Sequence, residues 1–188
     1  MRLEIIPNFI TEAEVNELNA WVKLGIQNKW LDAGSYGAGI THLRVTSRLY
    51  PERYEYPDLV NTIMTRVKAT FGIENYPVIT GYRNGRDGVV VSCTHPGGFV
   101  HKHIDVGGPD NLASLRCNIL THKPDAGCQL YVDDMPVNSN VGDLHCYLVS
   151  EHYHWTTKVE GKNPRIMWMF GVHVPADDWN SGKIKAQI

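Results

Sequence analysis

A chain of 188 residues, 43% apolar and 20% charged, has the length and composition of one folded domain with a sizeable core. No run approaches the about eighteen apolar residues of a membrane span, and the start MRLEIIPNFITEAEV meets acidic residues too early for a signal-peptide core, so a cytoplasmic protein is expected. Eighteen basic residues against twenty acidic ones give a net charge of -2 with no basic run, which argues against a nucleic-acid partner.

Leu3–Ile6 is a short apolar segment ended by Pro7. Thr11 and Glu14 then have capping-box spacing ahead of a helical stripe of Val15, Leu18 and Val22, a helix of about three turns. The glycine-rich stretch Trp30–Thr41 reads as a loop, and His42–Tyr50 alternates as an edge strand. A second helix starts near Pro57 and Asp58, carries Val60, Ile63, Met64, Val67 and Phe71 on one stripe, and stops at Gly72.

After Gly72 the period shortens. Eight strands are expected at Val78–Tyr82, Val89–Cys93, Phe99–Ile104, Ala113–Thr121, Cys128–Val132, Asp143–Val149, Trp155–Val159 and Ile166–Val174, which reads as a sandwich or jelly roll. The expected organisation is a single domain over 1–188, mainly β with N-terminal helices. Its parts are a helical support region over 1–75 and a jelly-roll core over 76–175. The helices cover one face of the sheet, because an apolar stripe must be buried against something. Cys93, Cys117, Cys128 and Cys146 form no CxxC pair and lie in strand-like surroundings, so reduced, buried thiols are expected.

The chemistry concentrates in Phe99-Val100-His101-Lys102-His103-Ile104-Asp105. Residues two apart on a strand face the same side, so His103 and Asp105 can reach one ion. Iron(II) accepts two neutral imidazoles and a carboxylate while keeping positions open for other ligands. The third ligand is expected to be His154, with His152 facing the same way as the alternative. Arg165 favours His154: it follows by eleven residues across a turn with Gly161 and Pro164, at hairpin distance. A buried guanidinium beside a metal suits a carboxylate, and a dicarboxylate co-substrate would join the two sites.

His103-Ile104-Asp105, His154 and Arg165, the last two within HWTTKVEGKNPRIMWMFG, resemble the 2-oxoglutarate and Fe(II)-dependent dioxygenase superfamily, especially its prolyl-4-hydroxylase-like branch. Val159 and Gly161 fall where that family often has valine and glycine, and IIPNFITEAEVNEL resembles the usual start of the branch. The resemblance implies a double-stranded β-helix with iron at its open end. It also implies an activity that turns 2-oxoglutarate and O2 into succinate while hydroxylating a C–H bond. One departure is Met167, where many members place a hydroxyl residue that helps hold the distal carboxylate. Tyr82, Asn118 or another strand residue is expected to supply that contact instead, and Arg116, on the strand face of Asn118, could reach co-substrate or substrate. Trp30–Thr41 and the turn Asp133–Asn140 are the segments placed to cover the opening.

Two other readings compete. His101-x-His103 with Gly142-Asp143-Leu144-His145 resembles the histidine blocks of cupin metal enzymes, but the usual glutamate is absent and Arg165 has no role. A non-catalytic β-sandwich would use Tyr153, Trp155 and Trp168 for stacking or packing. The expected substrate is an amino acid, a peptide side chain or another small molecule.

Overall fold

The computed structural model describes residues 1–29, 31, 43–48, 55–78 and 88–187. Tyr82, and all of Trp30–Thr41 except Leu31, lie outside the described residues. In chain order the elements are β1 (Glu4–Ile6), α1 (Glu12–Gln27), β2 (Arg44–Arg48), α2 (Asp58–Phe71), β3 (Val89–Thr94), β4 (Ala113–His122) and β5 (Ala126–Gly127). They continue with β6 (Leu130–Val132), β7 (Met135–Pro136), β8 (Leu144–Leu148), β9 (His154–Thr156), β10 (Val159–Glu160), β11 (Arg165–Val174) and α3 (Ala176–Asn180).

Both long helices begin and end for local reasons. The Thr11 hydroxyl accepts from Glu14 N at 3.3 Å, and the Glu14 carboxylate accepts from Thr11 N at 2.7 Å, closing the capping box. Helix α1 runs for 16 residues, more than the three turns expected, since nothing in its sequence stops it before Asn28. Helix α2 starts after Pro57 and ends at Gly72, whose φ of 64° is the left-handed conformation that glycine adopts without a Cβ penalty.

The main sheet is antiparallel, with strand order β1-β8-β4-β11-β3-β2. Alternation divides its faces. Ile166, Trp168, Phe170 and Val172 of β11 join Leu115, Cys117 and Ile119 of β4 in one core with Leu18, Val22, Ile63 and Val67 of the helices. Trp168 is fully buried, and its ring centroid lies 5.7 Å from that of Trp21. All four cysteines are buried. On the other face, Arg116, Asn118, His145, Tyr147, Arg165 and Met167 look into a cavity of about 570 Å³. A second sheet, β7-β6-β9, contributes Leu130, His154 and Thr156 to the opposite wall. The pair β10-β5 is separate, and among the described residues the sheets do not close into a hydrogen-bonded barrel. No described helix is long and apolar enough to cross a membrane.

Three expectations need correction. Phe99–Ile104 is not a strand: it touches β9 through Thr156 N to Val100 O at 3.0 Å and through a paired bridge of His103 with His154. Val100 and His103 are three positions apart while His154 and Thr156 are two apart, so a bulge breaks the ladder. Asp105 N then turns away to Val149 O at 2.9 Å. Trp155–Val159 divides, because β9 ends at Thr156 and Val159 pairs instead with Gly127 of β5. Asp133–Asn140 is not simply a turn, since it contains β7 after the left-handed pair Asp133 and Asp134.

Candidate metal centre and cavity

His103, Asp105 and His154 come from two segments joined by the bridge, His154 N donating to His103 O at 2.9 Å and His103 N to His154 O at 3.2 Å. One ligand atom from each lies within 4.8 Å of the others. The Asp105 Oδ1 atom is 3.3 Å from His103 Nε2 and 4.0 Å from His154 Nε2. Each ring is oriented through its other nitrogen. His103 Nδ1 lies 2.7 Å from His101 O, and His154 Nδ1 lies 3.2 Å from His152 O. A proton on each Nδ1 donates to those carbonyls, so Nε2 is the nitrogen that each ring turns toward Asp105 and would offer to an ion there.

The electrostatics follow from packing. Burial pushes the Asp105 carboxyl up, but the His103 hydrogen bond and the charges of His154 and Arg116 bring it below its usual value. His103 is raised by its hydrogen bond to Asp105, against burial. His154 is lowered, first by burial and then by His103. Two neutral imidazole nitrogens and one carboxylate, all on one side, are a donor set that fits iron(II).

The other expected residues sort clearly. Arg165 opens β11 on the cavity face, only 8% exposed, and makes no hydrogen bond or ion pair among the described residues. An uncompensated buried guanidinium fits a carboxylate ligand. Asn118 is buried on the same face, in register with Met169 and His145. Arg116 shares that face, and Met167 follows Arg165 on it without a hydroxyl. His152 lies before β9, so strand alternation does not carry it into the site; its Nδ1 is 2.7 Å from Asp133 Oδ2. His101 is exposed with its ring against Phe99, 4.5 Å between centroids. Neither His101 nor His145 belongs to the described ligand cluster, so the cupin constellation is not assembled.

Two residues of this region, Thr94 and Arg44, were not singled out from the sequence, and a third, His145, was named only in the cupin reading. Thr94 on β3 is the register partner of both Arg165 and Arg44, so the three form one row across β11, β3 and β2. The Thr94 Oγ1 atom is buried without a hydrogen-bond partner. His145 is wholly buried with neither ring nitrogen bonded. Burial, then the charge of Arg165, drives its pKa down to about 3, so it forms a neutral part of the wall. The sequence signal for Arg44 and Thr94 is plain strand alternation, which does not say which strands are neighbours.

No family model matches the chain, and no curated protein matches it by sequence. Solved structures do match in fold. A viral collagen prolyl hydroxylase from Paramecium bursaria Chlorella virus-1, in complex with 2-oxoglutarate, superposes with a TM-score of 0.63 at 12% identity, covering 93% of this chain and 96% of that one. A Pseudomonas putida prolyl-4-hydroxylase gives 0.63 at 15% identity, covering 92% and 91%. HygX from Streptomyces hygroscopicus, with nickel and 2-oxoglutarate bound, gives 0.61 at 12% identity, covering 93% and 83%. The chain therefore shares their architecture of N-terminal helices on an antiparallel sheet core.

Proposed function

We propose that this chain is an Fe(II)- and 2-oxoglutarate-dependent oxygenase, of the prolyl-4-hydroxylase-like branch and built on a double-stranded β-helix. In this reading it hydroxylates a C–H bond of an amino acid or a peptide side chain. The observation that carries the reading is one cavity holding both His103, Asp105 and His154 and the buried Arg165, whose side chain has no partner among the described residues. The fold similarity to two prolyl hydroxylases supports it.

Iron(II) held there, with 2-oxoglutarate and O2, supplies oxidative decarboxylation to succinate and carbon dioxide coupled to hydroxylation of the substrate. The protein's own part is positioning. The carbonyls of His101 and His152 fix the two imidazoles, and Tyr147 packs edge-on against His154 at 5.7 Å between centroids. Arg165 and Asn118 bind the distal carboxylate. Val90, Met167 and Met169 give the wall an apolar lining that keeps water from the reacting atoms. Tyr82 remains a proposed co-substrate contact.

The charge balance, with no excess of basic residues, supports an amino-acid or peptidyl substrate over a nucleic acid. The test is succinate release from 2-oxoglutarate in the presence of Fe(II), O2 and panels of amino acids, peptides, nucleosides and oligonucleotides, at low and high salt. Stimulation by an amino acid or peptide is expected. Stimulation by oligonucleotides alone, falling steeply with salt, would sink the substrate assignment.

A further inference from the structure

The row Arg44–Thr94–Arg165 contains more than one carboxylate partner needs. Neighbouring strands lie about 4.8 Å apart, so residues two strands apart in a row stand about 9.6 Å apart at the backbone. Two long guanidinium arms across that gap can close on a single small anion. Both arginines line the cavity, and Arg44 is anchored there by Nε donating to Ser92 Oγ at 3.0 Å. Their charges reach each other: burial first, and then the charge of Arg165, bring the Arg44 pKa down to about 10. Thr94 stands between them in the row, its hydroxyl buried and with no partner. A buried donor in that state costs free energy until an acceptor arrives.

We propose that Arg44 is a second co-substrate-binding cation, which grips the distal carboxylate of the 2-oxo acid together with Arg165 and the Thr94 hydroxyl. The proposal rests on reading the cavity as a 2-oxo acid site. It explains how the chain manages with Met167: the hydroxyl missing beside Arg165 on β11 is supplied by its register partner on β3. Two cations and a hydroxyl also make the site select strongly for a dicarboxylate over a ligand that only chelates the metal.

The test is calorimetric titration of the Mn(II)-loaded protein, without turnover, using 2-oxoglutarate and oxalate. Oxalate chelates the metal but has no distal carboxylate. Arg44→Met is expected to weaken 2-oxoglutarate at least about tenfold, as for loss of a buried charged partner, while leaving oxalate and Mn(II) affinities unchanged. Thr94→Val should weaken 2-oxoglutarate alone, and Thr94→Ser should restore it. Wild-type 2-oxoglutarate affinity in a folded Arg44→Met protein overturns the proposal. If that variant does not fold, equal 2-oxoglutarate affinity in Thr94→Val and Thr94→Ser overturns it. A wild-type protein that binds oxalate but not 2-oxoglutarate rejects the parent reading instead.

Discussion

His154 and His152 differ in what holds them, and that difference favours His154 as the proposed ligand. The His154 ring is fixed by the His152 carbonyl and faces Asp105, whereas the His152 ring is tied to Asp133. His154→Ala is therefore expected to abolish turnover and metal binding in a folded protein. His152→Ala should retain metal-dependent turnover, measured as succinate formed with added Fe(II). The reverse pattern would move the ligand by one pair. Arg165→Ala removes a charged partner from a desolvated site, a loss of about 2–5 kcal/mol, so the constant for 2-oxoglutarate should rise at least about tenfold with iron affinity unchanged. That His103, Asp105, His154 and Arg165 line one cavity was legible from two short spacings, His103 to Asp105 and His154 to Arg165. Arg44 and Thr94 were not: they meet Arg165 only through strand order, and no spacing encodes that β3 lies between β2 and β11.

Among the elements, α1 and α2 are locked by one ion pair. The Arg66 guanidinium donates to both Glu14 carboxylate oxygens, at 2.6 and 3.3 Å. The Arg66 hydrogen bond, opposed by burial, holds the Glu14 carboxyl down to about 2 from its ordinary 4.5. A depressed carboxyl stabilises the fold fully above its unfolded value and loses that stabilisation as pH falls. Glu14→Gln should thus cost about 1–2 kcal/mol at neutral pH, discounted for solvent screening at the partly exposed Arg66. The gap from wild type should close between pH 4.5 and about 2, read from urea midpoints across that range. A gap that stays constant with pH would remove the ion pair from the account. Both helices were readable from caps and stripes, since these are local signals. The Phe99–Ile104 segment misled because alternation was present, but a bulge opposite β9 and the turn of Asp105 toward Val149 prevent a ladder.

At the scale of the whole molecule, the main sheet separates two jobs. One face carries the core that includes Trp168 and the helices, while the other carries the cavity residues. Ligands that bind only the folded state then stabilise all of it: at a hundredfold excess over Kd, Mn(II) with 2-oxoglutarate should add about 2.7 kcal/mol, a Tm rise of about 5–10 °C. The same additions should leave His103→Ala unshifted. The most direct test of the central claim is an anaerobic titration of the purified protein with Fe(II) and 2-oxoglutarate, followed in the visible range. A metal-to-ligand charge-transfer band is expected in wild type, and its loss in His154→Ala. A wild-type spectrum that stays featureless with both components saturating would contradict an iron and 2-oxo acid site in this cavity.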